Sequence, residues 1–81
     1  MQKEIAKIEK NAEEEIIVQL TNFKGYDLVD LRVWVKSLIG EAGKPTKKGL
    51  TIKPDILPEL IEALKKADRA YRETQGKEAR A

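Results

Sequence analysis

Two short segments, one rich in lysine and one with an arginine near a tryptophan, form a pattern that could contact nucleic acid. Residues 44–53, Lys-Pro-Thr-Lys-Lys-Gly-Leu-Thr-Ile-Lys, carry four positive charges and no negative charge. Upstream, Arg32 and Trp34 are two positions apart, a spacing that puts both side chains on one face of a β-strand. A sheet face with cations and a flat aromatic ring suits a phosphate backbone with exposed bases. The first hypothesis is therefore a binding site for single-stranded nucleic acid.

The composition lacks the residue types that most enzymes and metalloproteins use for catalysis and metal binding. The 81 residues are enough for one domain and include neither cysteine nor histidine. A disulfide and a thiolate metal site are therefore excluded, and the usual general base and the commonest nitrogen ligand for metals are missing. No glycine-rich nucleotide loop or metal-spaced set of carboxylates replaces them. We predict no enzyme activity, no cofactor, no metal site and no small-molecule substrate.

The apolar runs of the chain are short. None is long enough to span a membrane, and the charged N-terminus lacks the apolar core of a signal peptide. We expect no membrane contact and a cytoplasmic location, associated with the nucleoid in a prokaryote, or a nuclear location in a eukaryote.

The net charge of +2 is unevenly distributed along the sequence. Residues 1–15 have a net charge of −2, residues 22–53 a net charge of +4, and residues 54–81 are neutral. The positive excess therefore falls in the segment whose pattern predicts a β-sheet. This asymmetry points to an anionic partner more clearly than the total charge does.

Hydrophobic periodicity predicts a meander of antiparallel strands. Residues 16–21 and 26–37 alternate between apolar and polar side chains, which is typical of half-buried strands. The intervening Asn22-Phe23-Lys24-Gly25 predicts a tight turn. A loop at residues 38–46 leads to a last short strand at residues 47–53. Apart from its first residue, one face of the 26–37 strand is apolar; the other face is mostly polar and carries the arginine and the indole.

The N-terminal arm, residues 1–15, is ambiguous. Ile5 and Ile8 could lie on a helix, or the segment could be extended and turn at Asn11. We favour a short extra strand.

Residues 55–75 predict one amphipathic helix. Asp55 is the expected N-cap, which places Pro58 in the first turn, where proline is tolerated. Gly76 is expected to end the helix, and residues 76–81 to form a flexible tail. The apolar stripe of the helix predicts core or subunit interface, and consists of Leu57, Leu60, Ile61, Leu64 and Tyr71. Because one helix leaves much of a sheet uncovered, pairing of two copies is the simplest remedy.

Three segments resemble the transcriptional coactivator family called positive cofactor four. They are Val-Gln-Leu-Thr-Asn-Phe-Lys-Gly at 18–25, Val-Asp-Leu-Arg at 29–32 and Lys-Pro-Thr-Lys-Lys-Gly-Leu-Thr-Ile at 44–52. The resemblance implies an α+β fold, a curved antiparallel β-sheet of three to four strands followed by one C-terminal amphipathic α-helix, and a homodimer formed through the helices. It also implies binding of single-stranded or melted DNA with little sequence specificity, in transcription regulation or in DNA replication and repair.

The family's nucleic-acid contacts can be carried over position by position. They fall on Phe23, Lys24, Arg32, Trp34, Lys44, Lys47 and Lys48. The sequence departs from the family at Thr21 and Tyr26, where the coactivators often carry basic residues. It also lacks the long serine- and acid-rich N-terminal region of the eukaryotic members, which favours a compact prokaryotic or phage-type relative.

The residues leave other interpretations open. The basic sheet could dock an acidic protein partner, or a β-ribbon could enter the major groove of duplex DNA, and RNA fits the pattern as DNA does. Arg32 could pair with Asp30 or Asp27 instead of a phosphate. Trp34 could cover the edge of a small core instead of stacking on a base.

Overall fold

The protein is an open four-stranded antiparallel sheet followed by one C-terminal helix. The computed structural model describes residues 2–37 and 41–79, with side chains up to residue 75. The elements in chain order are β1 (Lys3–Glu9), β2 (Glu14–Phe23), β3 (Tyr26–Val35), β4 (Lys44–Ile52), a 3-10 turn (Pro54–Ile56) and helix α1 (Leu57–Ala79). The spatial order β1-β2-β3-β4 is that of a meander. The predicted fold class is confirmed, including the extra N-terminal strand.

The hairpin of β2 and β3 is the most regular part of the sheet. Its strands pair without interruption from Glu14 opposite Val35 to Phe23 opposite Tyr26. The two turn residues, Lys24 and Gly25, have φ of 51° and 84°, as a type I′ turn requires. The side-chain oxygen of Asn22 accepts the N–H of Gly25 at 3.2 Å. The predicted tight turn is confirmed.

A second hairpin joins β1 to β2 and turns at Asn11. The side-chain oxygen of Asn11 accepts the backbone N–H groups of Glu13 at 2.9 Å and Glu14 at 2.8 Å. Hydrogen bonds from the side chains of Lys10 and Asn11 lower the pKa of the Glu14 carboxyl. These local bonds explain why a chain end rich in charged residues adopts an ordered strand pair.

The two faces of the sheet differ in polarity as the alternation predicts. Residues opposite each other in neighbouring strands share a face. The register therefore defines an apolar face, which carries Val18, Leu20, Val29, Leu31, Val33, Leu50 and Ile52, and a polar face, which carries Gln19, Thr21, Asp30, Arg32, Trp34 and Thr51.

The core is small. Among the described residues three apolar side chains are buried: Ile17, Val29 and Ile52. Val29 and Ile52 pair on the apolar face. Ile17 belongs to the polar face, where it lies opposite Arg32. The polar face thus contains an apolar side chain shielded from water beside its arginine.

The start of the helix differs from the prediction. Asp55 is not the N-cap. The 3-10 turn is preceded by Lys53, which makes no side-chain cap, and begins with Pro54. The fixed φ of proline suits a first helical position, so Pro54 starts the turn one residue before Asp55. Pro58 is the second residue of α1 and lies in its first turn, as predicted.

The bounds of two other segments also differ. β4 begins at Lys44, inside the loop predicted at residues 38–46, of which residues 38–40 lie outside the described part. The helix continues past Gly76 to Ala79, since a glycine within a helix costs only about 1 kcal/mol relative to alanine. Residues 80–81 of the predicted tail also lie outside the described part.

Helix α1 projects from the sheet and covers little of it. It contacts the 3-10 turn but makes few contacts with the strands. Leu57 and Leu60 are half-buried, whereas Ile61, Leu64 and Tyr71 are exposed. The radius of gyration is 16.0 Å, against about 12 Å for a compact domain of this length. Within residues 2–37 and 41–79, no helix is both long and apolar enough to cross a bilayer.

We predict that Gly49→Ala destabilises the sheet by about 3 kcal/mol, because it combines backbone strain with overpacking. Gly49 has φ of +151°, and an added Cβ would collide with the Leu31 carbonyl and lie 2.7 Å from the Cα of Arg32. The free energy of unfolding in urea measures the effect. Gly25→Ala is the matched control, since φ is +84° there but no atom lies within 4 Å of the added Cβ. Equal losses for the two variants would contradict a close approach of β4 to β3 at Gly49.

Candidate functional site

The polar face contains an open groove of about 530 Å³. Its lining includes Phe23, Arg32 and Trp34, which the sequence placed in the site. The remaining lining residues are polar apart from a proline, and comprise Gln2, Gln19, Thr21, Asn22, Asp30 and Pro45. The pleat of β2 and β3 sets this arrangement, because Gln19 opposes Asp30 and every second residue faces the same side.

Arg32 lies in the groove with most of its donors occupied. Its Nε lies 3.2 Å and its Nη2 2.9 Å from carboxylate oxygens of Asp30, to which both donate. Its Nη1 donates to the backbone carbonyl of Thr46 at 3.0 Å, across the β3–β4 ladder. Of the two carboxylates considered from the sequence, Asp30 is therefore the partner of Arg32. The other carboxylate, Asp27, accepts a hydrogen bond from the side-chain amide of Asn22.

Asp30 is the one buried charged side chain among the described residues, with 8% of its surface exposed. Besides the hydrogen bonds from Nε and Nη2 of Arg32, Asp30 accepts one from the hydroxyl of Thr51 at 2.8 Å. Buried carboxylates are stable when they are paired and hydrogen-bonded in this way. Hydrogen bonding to Asp30 in turn raises the pKa of the Arg32 guanidinium. Arg32 and Asp30 thus form an ion pair that is held in place in the groove, and the two charges cancel.

Trp34 is half-buried and lines the groove opposite Pro45 of β4. Its Nε1 is buried and has no hydrogen-bond partner, and among the described residues no other buried side-chain nitrogen or oxygen lacks one. The edge of the indole that carries the N–H is therefore turned into the protein. The indole offers the groove carbon surface, not a hydrogen-bond donor.

Aromatic side chains also mark the end of the groove at the β2–β3 turn. Phe23 and Tyr26 oppose each other on the polar face and are 61% and 68% exposed. The Nζ of Lys24 lies 5.3 Å from the centroid of the Phe23 ring, a cation–π distance. Such exposure does not fit a ring that seals the end of a core. It suits a ring available for stacking.

The lysines of β4 lie outside the groove lining. Lys44 opposes Val35 and so belongs by register to the apolar face. Further along, β4 contains a bulge, in which Thr46, Lys47 and Lys48 oppose the single residue Val33. The hydroxyl of Thr46 holds the bulge by donating to the Val33 carbonyl at 2.7 Å. The three lysines are exposed, but the structure does not bring them into the lining of the groove.

Some lining residues were not found from the sequence. Gln19 and Thr21 could have been, since they alternate in phase with the arginine and the indole across the turn. Pro45 could not, because its position opposite Trp34 depends on the bulge. Asp30 is the carboxylate of the lining, and no cluster of three potential metal-binding side chains occurs in the described segments. The groove therefore offers surfaces for stacking and hydrogen bonding.

Comparison with known proteins places these features in a family. The family model described as Transcriptional Coactivator p15 (PC4) matches residues 10–63. The chain is also similar to a PC4 homologue from Burkholderia pseudomallei, solved in two crystal forms. The orthorhombic form is 33% identical with a TM-score of 0.76, over 83% of this chain and 89% of that one. The tetragonal form is 31% identical with a TM-score of 0.75, over 84% and 98%. No curated protein matches the chain.

We predict that Thr51→Val lowers the free energy of unfolding by about 1–2 kcal/mol, because it removes a hydrogen bond to a buried carboxylate. Valine keeps the shape of the side chain but cannot donate to Asp30. Urea unfolding measures the loss. Thr74→Val is the control, because that hydroxyl donates to the Ala70 carbonyl on the exposed surface of α1, where about 0.5 kcal/mol or less is expected. Equal losses would show that Thr51 does not support the buried pair.

Proposed function

The chain belongs to the family of the transcriptional coactivator p15 (PC4), and on that premise we propose that it binds single-stranded DNA as a homodimer with little sequence specificity. The process it serves is transcription regulation or DNA replication and repair. The observation that carries the proposal is the groove of the polar face, where exposed Phe23 lines the same surface as Trp34 and Arg32.

The groove suits unpaired bases. Aromatic rings and guanidinium planes stack on the faces of all four bases, so they bind single strands without selecting a sequence. Side-chain amides and hydroxyls at Gln19, Thr21 and Asn22 supply hydrogen-bonding groups beside these flat surfaces. A duplex keeps its bases stacked inside, so it cannot use a stacking surface of this kind.

Lysines outside the groove provide the electrostatic part of the interaction. Lys24 lies at the β2–β3 turn beside Phe23, and Lys44, Lys47 and Lys48 lie along β4. All four are exposed. Lys24 lies at the Phe23 end of the groove, and Lys47 and Lys48 lie in the bulge beside its Trp34 end, so a strand lying along the groove would pass cations at both ends. Lys44 adjoins Pro45 at the Trp34 end, although the register places it on the other face. Phosphate contacts of this kind add affinity without sequence preference.

A second copy of the chain is the partner that the apolar surface requires. The stripe of α1 formed by Leu57, Leu60, Ile61, Leu64 and Tyr71 has exposed members along its length. On the apolar face of the sheet, Leu20 and Leu50 are 38% and 46% exposed. A projecting helix with an apolar stripe can bury both surfaces when two copies pair about a two-fold axis. We propose that the helices form this homodimer.

We predict that a mixed-sequence single-stranded oligonucleotide quenches the fluorescence of Trp34, the chain's single tryptophan, because bases stack in the groove. The effect should weaken at higher salt, since phosphate contacts contribute. Titrations with single-stranded and duplex oligonucleotides at two salt concentrations measure it. Phe23→Ala, which keeps the fluorescent Trp34, should weaken binding about 5- to 150-fold if one stacking contact is lost.

The charge control is Lys65→Gln on α1, where Lys65 pairs with Glu62 far along the chain from the groove; its affinity should match the wild type. Preference for duplex, with marked sequence dependence, would favour a β-ribbon regulator instead. Failure to bind either oligonucleotide at moderate salt would favour a module whose basic sheet docks an acidic protein. RNA oligonucleotides in the same titration compare the two nucleic acids.

We predict a molecular mass of about twice the 9.2 kDa of one chain in sedimentation equilibrium, because two apolar helix stripes bury each other. Leu64→Asp should shift the mass to that of one chain. Lys65→Asp introduces the same side chain at the next position, on the polar side of the helix, and should leave the dimer intact. A wild-type chain that is monomeric at micromolar concentration would refute the helix-mediated dimer.

A further inference from the structure

The positive charge of Arg32 is already paired inside the groove. An arginine has five N–H groups. Those of Nε and Nη2 face Asp30 and the Thr51 hydroxyl, and Nη1 donates to the Thr46 carbonyl. One N–H, on Nη1, is left for a ligand. A phosphate that approached this guanidinium would also approach the Asp30 carboxylate, which would repel it.

The bonds of Arg32 to Asp30, Thr51 and Thr46 use N–H groups that lie in the guanidinium plane, so they leave the two faces of the guanidinium without a hydrogen-bond partner. The Arg32 side chain is 23% exposed, although the edges of the guanidinium are bonded to the protein. Trp34 is in the same situation, because its N–H edge is buried while the residue lines the groove. Both side chains thus offer flat surface with little free hydrogen-bonding capacity. Such surfaces favour the face of a base over a phosphate.

We propose that Arg32 and Trp34 form a platform for an unpaired nucleobase and that Arg32 contacts no phosphate. The inference rests on the proposed single-strand binding and divides that site by chemistry. Bases occupy the groove, and the phosphates are neutralised by the lysines outside it. Asp30 is the positioning residue of the platform, since it fixes the guanidinium and removes its attraction for the backbone.

The division has a consequence for the salt dependence of binding. If Arg32 and the four lysines each met a phosphate, log affinity against log salt concentration would have a slope of about −3.5 per protomer, from about 0.7 per contact on single strands. Without Arg32 the slope is about −2.8.

The test compares Arg32→Gln, made together with Asp30→Asn so that no unpaired carboxylate remains in the groove, with Lys47→Gln in binding a fluorescein-labelled oligo(dT), by anisotropy at several salt concentrations. Arg32→Gln should weaken binding about 5- to 150-fold, as expected for one stacking contact, and leave the slope unchanged. Lys47→Gln removes an exposed cation of β4 and should make the slope less steep by about 0.7. Arg32→Lys retains the charge and can still pair with Asp30 but has no plane. It should lose affinity like Arg32→Gln and carries the test if that variant fails to fold.

A strand of the same length built from abasic sugar–phosphate units provides the second readout. On this strand Arg32→Gln should bind as tightly as the wild type, whereas Lys47→Gln should still bind more weakly. A slope reduced by about 0.7 in Arg32→Gln, or weaker binding of that variant to the abasic strand, would overturn the inference while leaving single-strand binding intact. Failure of the wild type to bind oligo(dT) would overturn the proposed function itself, and this inference with it.

Discussion

The uninterrupted pairing of β2 with β3 is the constraint on which the other features depend. Ten successive residue pairs, closed by a two-residue turn with positive φ at both positions, fix the register. A shift by one residue would move every side chain to the opposite face. The register therefore determines at once that Arg32, Trp34 and Phe23 share a surface with Gln19, and that Val29 and Leu31 point away from it. The groove and the apolar face therefore both follow from the pairing of β2 with β3.

The polar face is more than a row of solvated side chains. Ile17 is 3% exposed and lies opposite Arg32, so the arginine stands beside an apolar residue. The guanidinium donates hydrogen bonds to Asp30, to the hydroxyl of Thr51 and to the Thr46 carbonyl. In surroundings of reduced water content such bonds are stronger than on an open surface. The polar face is thus built as an ordered surface, whereas the apolar face keeps Leu20 and Leu50 exposed and the helix stripe keeps Ile61, Leu64 and Tyr71 exposed.

Much of this architecture follows from the sequence, because it depends on periodicity. The alternation of residues 16–21 and 26–37 predicts the strands and their faces, and Asn22 with Gly25 predicts the turn. The alternation also favours Asp30 over Asp27 as the partner of Arg32, because Asp30 is two residues away on the same face. The further bonds of Arg32 to Thr46 and Thr51 were not predictable, since they depend on the register of β4 against β3. The position of the β4 lysines was not predictable at all. It depends on a bulge at Thr46–Lys48, where three residues oppose the single residue Val33, so that Lys47 and Lys48 leave the regular pairing although nothing in the composition marks the site. The start of the helical segment was also misplaced, because Pro54, and not the residue after Asp55, takes the first helical position.

The irregularities of the two outer strands have a consequence for solubility. β1 changes register between Glu4 and Ala6, and β4 begins with a lysine and Pro45 before its bulge. Addition of a further strand requires a straight row of free N–H and C=O groups, and proline has no N–H to contribute. Both rims of the sheet are therefore poor templates for growth. The exposed apolar side chains of this protein are thus combined with sheet edges that resist the edge-to-edge stacking that leads to fibrils in a crowded cell.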